Sequence, residues 1–344
     1  MAKKQEKKLN YNDEVRKLKS GGPQRLYLLY GAEDYLRERY LDTLRQLCVG
    51  DERDFSFHRL NGPAIDLGGL EESVNAVPFL TERSMVELRD CDLDSCRTED
   101  AERLKRILSD IPEYCTVAFV CSPGKEPDGR LSLTKFMKKN GVALEFTEQD
   151  GSALLSWVNG RFKALEKDIS RADAEYLLFL CGSRMNTLIP EIEKVALFAS
   201  DTAVKRADID ATVTRIPEAD VFAMTDALSR RNYDSAAGLL SQLLAGKGDE
   251  AIPINALIAR QFRQLYAVKL GQEAGRSRAD LMELCGVRYE FILDKLIAAA
   301  KPYSSVQLAS YIDLCAEYDY KMKSTGQDGE VLLRELFARI AAGV

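Results

Sequence analysis

Near the amino terminus, a buried strand, a glycine turn and a helix follow one another, which is the setting of a phosphate-binding loop. The apolar run at residues 26–30 predicts the strand, and a helical pattern begins at residue 35. A nucleotide-binding loop needs the pattern GxxxxGK followed by Ser or Thr, because its backbone amides, lysine and hydroxyl hold the phosphates and Mg²⁺. The second glycine, the lysine and the hydroxyl are missing, and two acidic residues of the turn would repel a triphosphate. Counted from Gly31, the positions of the second glycine, the lysine and the hydroxyl hold Leu36, Arg37 and Glu38, and the two acidic residues are Glu33 and Asp34. The pattern predicts the scaffold of a phosphate loop without an ATPase site.

The composition leaves few residues for catalysis. The 344 residues include one histidine, so a triad or dyad that uses histidine could form only around His58. His58 lies in an alternating run at residues 55–60, and we expect it on the solvent side of a strand. The eight cysteines include no CxxC pair, which argues against a metal site and predicts buried, reduced thiols. We assign no catalytic residue, no metal site and no cofactor.

The charge of the chain argues against a general affinity for DNA. Lys and Arg total 48 against 54 Asp and Glu, giving a net charge of −6, so contact with DNA requires a local patch or a partner. The first eight residues are basic, but no apolar segment follows them, and no uninterrupted apolar run of about 18 residues occurs. We expect a cytoplasmic protein without membrane contact, and a disordered tail over residues 1–20.

Residues 21–148 alternate strand patterns with helical patterns, which is typical of a parallel sheet with crossover helices. The predicted strands are residues 26–30, 55–60, 84–89, 116–121 and 143–146. The predicted helices between them lie near residues 35–47, 67–77, 101–108 and 131–140. The runs at 85–88 and 117–120 are apolar on both faces or nearly so, as expected of central strands covered by helices on each side. This part is predicted to be an α/β domain.

Strand patterns stop after residue 150, and the rest of the chain is predicted to be helical. Residues 149–215 are expected to form a small helical domain, in which Ser170 and Asp173 begin one helix. Residues 216–344 are expected to form a second helical domain of longer helices, with an interruption near Gly286 and a turn at residues 325–329. The predicted fold class is an α/β domain followed by two all-α domains.

Residues 77–80, Val-Pro-Phe-Leu, place two large apolar side chains in a turn that proline initiates and polar residues flank. An apolar centre with a polar rim suits a pocket on a partner protein. The alternative is that Phe79 and Leu80 pack inward beneath the sheet edge, as apolar pairs near a helix end usually do. The residues alone favour the inward packing.

Four stretches in order along nearly the whole chain resemble the delta subunit of bacterial DNA polymerase III, the clamp-opening member of the clamp loader. They are LYLLYGAEDYL at residues 26–36, VPFLTERSMV at 77–86, LIPEIEKV at 188–195 and IARQFRQLY at 258–266. The resemblance implies an AAA+-like domain with a RecA-like parallel sheet, a helical lid and a helical collar for oligomerisation. It also agrees with the missing phosphate-loop residues, because this family has lost the nucleotide site of its sister subunits. Where a Walker B strand would end in Asp-Glu, the chain has Asp90-Cys91.

The resemblance implies a clamp-loader subunit that binds and opens the sliding clamp for loading onto primed DNA and does not itself hydrolyse ATP. The implied clamp-binding pair falls on Phe79 and Leu80, flanked by Val77 and Pro78. The implied partners are the beta clamp, the gamma/tau and delta-prime subunits, and primer–template DNA within the complex. The chain would be grouped with DNA-directed DNA polymerases only through its holoenzyme. Two alternatives stay open: a delta-prime-like scaffold that does not hydrolyse ATP, and an active AAA+ ATPase, which the missing motifs disfavour.

The carboxyl-terminal helices add two hypotheses. Aromatic rings mixed with cations suit contact with a primer–template end, although an ordinary surface helix explains the same pattern. These candidate DNA contacts are Tyr318, Tyr320, Lys321 and Lys323. The helix at residues 250–273 shows an apolar stripe that serves as domain core or collar interface. The stripe consists of Ile252, Ala256, Ala259, Phe262, Leu265 and Tyr266, with Arg260, Arg263 and Lys269 beside it.

Overall fold

The computed structural model describes residues 10–50, 53–149, 151–245 and 250–343. The chain divides into two compact units, one of Met1–Gln149 with Arg184–Asn186 and one of Asp150–Ser183 with Thr187–Val344. This division places no boundary between residues 215 and 216, so the separation of the helical part into lid and collar stays a prediction.

The first unit is built on one parallel sheet, which confirms the predicted α/β fold. Its five strands are ordered β2-β3-β4-β1-β5, and every neighbouring pair runs parallel. The elements are α1 (Tyr11–Gly21), β1 (Leu26–Tyr30), α2 (Asp34–Val49), α3 (Arg53–Ser56), β2 (Phe57–Asn61), α4 (Leu67–Asn75), β3 (Ser84–Arg89), α5 (Thr98–Ser109), β4 (Cys115–Val120), α6 (Ser132–Asn140) and β5 (Val142–Glu145).

Helices cover both faces of this sheet, as the apolar central strands predict. Successive side chains of a strand point to opposite faces, so Leu26 and Leu28 pack in the core that α4, α5 and α6 cover. On the other face, Tyr27 meets Tyr40 of α2, with ring centroids 6.3 Å apart. Every residue of β1 and of β4 is buried. These two strands therefore form the centre of the domain.

Three expectations for the first unit are corrected. A disordered tail was expected through residue 20, but α1 begins at Tyr11, because Leu18 is buried and Tyr11 is half-buried; residues 1–9 lie outside the described residues. The strand expected from residue 55 begins at Phe57, after the short helical turn α3. His58 on this strand is half-buried, not on an open face, and its Nε2 is shielded from solvent.

The remaining elements are helical except for one short strand pair. They are α7 (Gly151–Ala164), β6 (Asp168–Ile169), α8 (Arg171–Cys181), α9 (Met185–Phe198), β7 (Ala203–Val204), α10 (Arg206–Thr212), α11 (Pro217–Ser229), α12 (Tyr233–Leu244), α13 (Ala251–Glu273), α14 (Arg278–Cys285), α15 (Glu290–Ala300), α16 (Ser305–Ser324) and α17 (Gly329–Ala342). The parallel pair β6 and β7 was not predicted, because two residues are too few to show alternation.

Local chemistry sets several of these helix ends. Ser170 accepts a hydrogen bond from the Asp173 amide and caps α8, as the sequence predicts. Gly286, in the left-handed conformation, ends α14, and Asp328 caps α17 after the predicted turn. The stripe on α13 was predicted only in part: Ala256 is exposed, and Ile254 and Ile258 are buried instead. The reason is that α11, α14, α15 and α16 all pack against α13, so its burial does not follow one face.

Three further features bear on chemistry. All eight cysteines are free thiols; six are buried, as predicted, while Cys91 and Cys96 are half-buried. Across the described ranges, no group of three or more His, Cys, Asp or Glu side chains is placed to hold a metal ion. None of the helices in those ranges is long and apolar enough to cross a membrane.

Candidate functional site

The turn after β1 closes on the backbone that follows β5. The Glu33 amide donates to the Phe146 carbonyl at 2.8 Å, and the Phe146 amide donates to the Tyr30 carbonyl at 2.8 Å. Gly31 has φ 115°, and a Cβ there would lie 2.4 Å from the Phe146 oxygen. The glycine is therefore required by this close approach. The Glu33 amide, which lies in the turn that would surround a phosphate, is already bonded to protein.

Arg37, at the position of the missing lysine, points back into the turn. Its guanidinium is buried, donates to the Gly31 carbonyl at 3.0 Å, and also pairs with the Asp34 carboxylate. In an active phosphate loop the lysine reaches the β and γ phosphates. Here the cation is occupied within the turn itself, which leaves the loop without its phosphate-binding charge.

Glu33 adds an acid to the same turn. Burial raises the pKa of its carboxyl to about 7, and the neighbouring charges of Glu148 and Asp34 add to that rise while Arg184 opposes it. The carboxylate also accepts a hydrogen bond from the Tyr35 amide at 3.2 Å and so caps α2. The side chain thus has a structural role at the start of the helix, and its charge disfavours an anion.

The end of β3 lacks the acidic pair of an ATPase. Asp90 has φ 57°, and the Ser122 hydroxyl donates to its carboxylate at 2.5 Å. Cys91 follows it in place of a glutamate. The nearest buried acid, Glu87, lies within β3. Burial alone would raise the pKa of Glu87, but hydrogen bonds from Arg45 and Arg89 outweigh it and lower that pKa.

The segment between α4 and β3 carries the predicted apolar pair on the outside. Phe79 is 60% exposed, Leu80 68% and Val77 76%, while Pro78 is half-buried. The inward packing that the residues alone favour is therefore wrong. We call residues 77–80 the tip.

The tip is held by hydrogen bonds to a residue 23 positions earlier. The buried hydroxyl of Ser56 accepts from the Phe79 amide at 3.1 Å and lies 3.0 Å from the Phe79 carbonyl oxygen, to which it donates. The Thr81 hydroxyl lies 2.7 Å from the Ser56 hydroxyl. Leu80 has φ 65°, a conformation that is uncommon without glycine. The turn is consequently fixed with its apolar side chains outward.

Phe55 and Ser56 meet the tip because β2 and β3 are parallel neighbours. Phe57 pairs with Met85, so the residues just before each strand lie at the same edge of the sheet. The Phe55 ring lies 5.7 Å from the Phe79 ring, edge to face. Neither residue could be identified from the sequence, because the alternation at residues 55–60 predicts a strand that already includes them.

The candidate DNA contacts on α16 do not share one surface. Tyr318 is fully buried, while Tyr320 is 70% exposed. Lys321 lies over the Tyr318 ring at 4.5 Å and pairs with Glu317 at 2.7 Å. Lys323 pairs with Asp319 at 2.7 Å. Tyr318 is therefore core and unavailable for base stacking, which corrects its assignment; the other three stay candidates.

Comparisons with known proteins identify the family. The family of DNA polymerase III delta subunits matches residues 27–147, and the C-terminal domain of the same family matches residues 218–340. DNA polymerase III subunit delta of Bacillus subtilis (strain 168) is 26% identical over 94% of this chain and 95% of its own length. The probable delta subunit of Aquifex aeolicus (strain VF5) is 23% identical over 91% and 90%.

A solved structure supports the fold. The clamp loader delta protein of Bacillus subtilis matches with a TM-score of 0.55 and 24% sequence identity, covering 97% of this chain and 100% of that chain. The two family matches lie in the predicted order, one on the sheet domain and one on the carboxyl-terminal helices, and together they cover more than half of the chain. The chain belongs to the family of DNA polymerase III delta subunits.

Proposed function

We propose that this chain binds the sliding clamp through the tip and favours the open ring, so that the clamp can be loaded onto primed DNA. The observation that carries the proposal is the outward placement of Phe79 and Leu80 on a turn that hydrogen bonds hold in place. A single exposed apolar side chain is ordinary on a soluble protein, but several grouped in one patch mark an interaction site, and Val77, Phe79 and Leu80 are all exposed within four residues. The similar solved structure from Bacillus subtilis is that of a DNA clamp loader delta protein, and for this reason the proposed partner is a pocket on the sliding clamp.

The exposed area of the tip limits what it contributes. Fully burying two such side chains supplies roughly 3–6 kcal/mol, and because about two thirds of each is exposed, the gain is roughly 2–4 kcal/mol before association costs. Driving a ring from 1:99 to 99:1 in favour of the open state takes about 5.5 kcal/mol of differential affinity. The tip alone falls short of that figure. For a ring that is open one time in a hundred, the remainder would come from further contacts that form only with the open ring.

The turn after β1 supports a subunit that does not hydrolyse ATP. Arg37 is bound within the turn, and Glu33 places an acid where phosphate would lie. In this proposal nucleotide acts through the gamma/tau subunits, with delta-prime and primer–template DNA completing the assembly. Titration with a fluorescent ATP analogue should give no saturable signal for this chain, and a saturable signal would overturn this part of the proposal.

Binding to the clamp of the same organism tests the tip. The double variant Phe79→Ala, Leu80→Ala should weaken affinity by roughly 30- to 1,000-fold, the range that 2–4 kcal/mol corresponds to. The matched control is Leu197→Ala, Phe198→Ala, because this pair on α9 is also exposed and of the same two residue types. Circular dichroism melting checks that both variants fold. Unchanged affinity of the tip variant would refute the tip as the contact.

Ring opening needs a separate measurement. The assay follows the release of a clamp loaded on nicked circular DNA, and the wild-type chain alone, without ATP, should accelerate that release over the rate measured in its absence. The tip variant should not accelerate release at a concentration where the control variant does. Binding without accelerated release would reduce the function to docking.

A further inference from the structure

We propose that the docking surface is built from two chain segments: Phe55 is a third apolar anchor for the clamp, and Ser56 is the positioning residue that holds the tip outward. This inference rests on the proposed function. The partner is the sliding clamp, whose apolar pocket and the rim of that pocket would contact this surface. The surface includes residues from a segment that precedes the tip by more than twenty positions.

Phe55 has the placement of an anchor and not of a core residue. Its side chain is 64% exposed, comparable to Phe79 and Leu80. Its ring meets the Phe79 ring at 5.7 Å with an interplanar angle of 75°, the favourable edge-to-face arrangement. A pocket that receives Phe79 therefore brings its rim against Phe55. Since interfaces concentrate their binding energy in a few aromatic anchors at the centre of the patch, Phe55 extends the anchor cluster from two side chains to three.

Ser56 has a different role, because it is fully buried and cannot touch a partner. Its hydroxyl engages both backbone groups of Phe79, the amide at 3.1 Å and the carbonyl at 3.0 Å. With both groups held against the sheet edge, the Phe79 side chain faces away from it. The Thr81 hydroxyl oxygen lies 2.7 Å from the Ser56 hydroxyl oxygen and 2.8 Å from the Arg83 carbonyl oxygen, and its single proton is donated to one of these two acceptors at a time.

The benefit of this arrangement is a surface that is ready before binding. A loop that is ordered only in the complex loses conformational entropy on association, and that loss weakens affinity. Leu80 holds φ 65° against its intrinsic preference, so the turn needs an external restraint to persist. Ser56 is that restraint, because among the described residues its hydroxyl contacts the residues on both sides of Leu80.

The test measures clamp affinity for single variants with matched controls. Phe55→Ala should weaken binding by about 5- to 20-fold, as expected for an aromatic anchor, with an unchanged melting temperature because the ring is exposed. The control is Phe198→Ala, an equally exposed phenylalanine on α9. Ser56→Ala should weaken binding by about 3- to 10-fold through lost pre-organisation. Its control is Ser84→Ala, which is equally buried at the start of β3.

Two further measurements separate positioning from general destabilisation. Hydrogen exchange of the Phe79 amide should accelerate in Ser56→Ala and stay slow in Ser84→Ala. In the Phe79→Ala, Leu80→Ala background, Ser56→Ala should cause no further loss of binding, because the side chains that it positions are gone. An equal further loss there would show a merely structural role and overturn the assignment of Ser56.

The outcomes distinguish this inference from the proposed function. If the tip double variant loses binding while Phe55→Ala and Ser56→Ala bind like wild type, the two-segment surface is wrong and the tip stands alone. If the tip double variant binds like wild type, the proposed function fails and this inference fails with it. Loss in all three variants, with both serine and phenylalanine controls unaffected, supports the surface as described.

Discussion

Neutralising Glu33 should stabilise the protein in a pH-dependent way. In the folded chain the pKa of this carboxyl is raised from 4.5 to about 7, and the largest cause is burial. Below the unfolded pKa the group is protonated in both states and carries no penalty. As pH rises from the unfolded toward the folded pKa, the unfolded state releases its proton more readily, so stability is lost; above the folded pKa the loss is complete.

The size of the effect follows from the two pKa values. A rise from 4.5 to about 7 corresponds to roughly 3 kcal/mol as an upper figure, and solvent screening at the domain surface reduces it to roughly 1–3 kcal/mol. Glu33→Gln keeps the oxygen that accepts from the Tyr35 amide at 3.2 Å, so the cap on α2 is retained. The variant therefore removes the charge and little else.

The assay is urea unfolding of the full chain under reducing conditions, followed by circular dichroism at several pH values. The stability advantage of Glu33→Gln over wild type should be near zero at about pH 3.5 and grow to roughly 1–3 kcal/mol at about pH 8. Glu72→Gln, at an exposed position on α4, should show no such trend. An advantage that is constant with pH, or that shrinks as pH rises, would refute the assigned cause.

Three further predictions concern stability and reactivity. Gly31→Ala should destabilise the protein by about 1–3 kcal/mol in thermal melts, because its Cβ would press on the Phe146 carbonyl. The control Gly160→Ala, in an open helical position, should stabilise the protein by about 0.5–1 kcal/mol. Equal effects of the two substitutions would contradict the close approach at Gly31. Glu87→Gln should cost about 1–3 kcal/mol in urea unfolding, because it removes the buried carboxylate that Arg45 and Arg89 share, while each arginine keeps a second acid, Asp42 and Glu38; a neutral effect would count against that ion cluster. Cys115, whose pKa burial raises to about 11, should resist iodoacetamide at neutral pH until the chain unfolds, as mass spectrometry would detect.

The sheet could be predicted from sequence because its strands are buried on both faces. A parallel strand covered by helices must be apolar throughout, and the runs in β3 and β4 have that property. Helix ends such as the one at Ser170 were also readable, because a cap is a local hydrogen bond between residues three apart. In both cases the residues that predict the element belong to the element itself or lie within three positions of it.

The direction of the tip could not be predicted in this way. Whether Phe79 points inward or outward depends on Ser56, which is distant in sequence and reaches the tip only through the pairing of β2 with β3. The faces of α16 raise the same difficulty. Tyr318 and Tyr320 lie two residues apart, and packing within the helical unit decides which one is buried. Residue type cannot decide this, because both residues are tyrosines.

The two ends of the parallel sheet separate the closed turn after β1 from the tip. Parallel strands place their carboxyl ends at one edge, where ligands of such sheets usually bind, and this edge holds the closed turn at Gly31 and Arg37. The tip precedes β3 and Ser56 precedes β2, so both lie at the opposite edge, where the parallel strands begin. Within the described part of the chain, the hydrogen bonds that hold the tip come from Ser56 and Thr81 and from no residue of the closed turn. Substitutions in the closed turn should therefore leave the hydrogen bonds that hold the tip undisturbed.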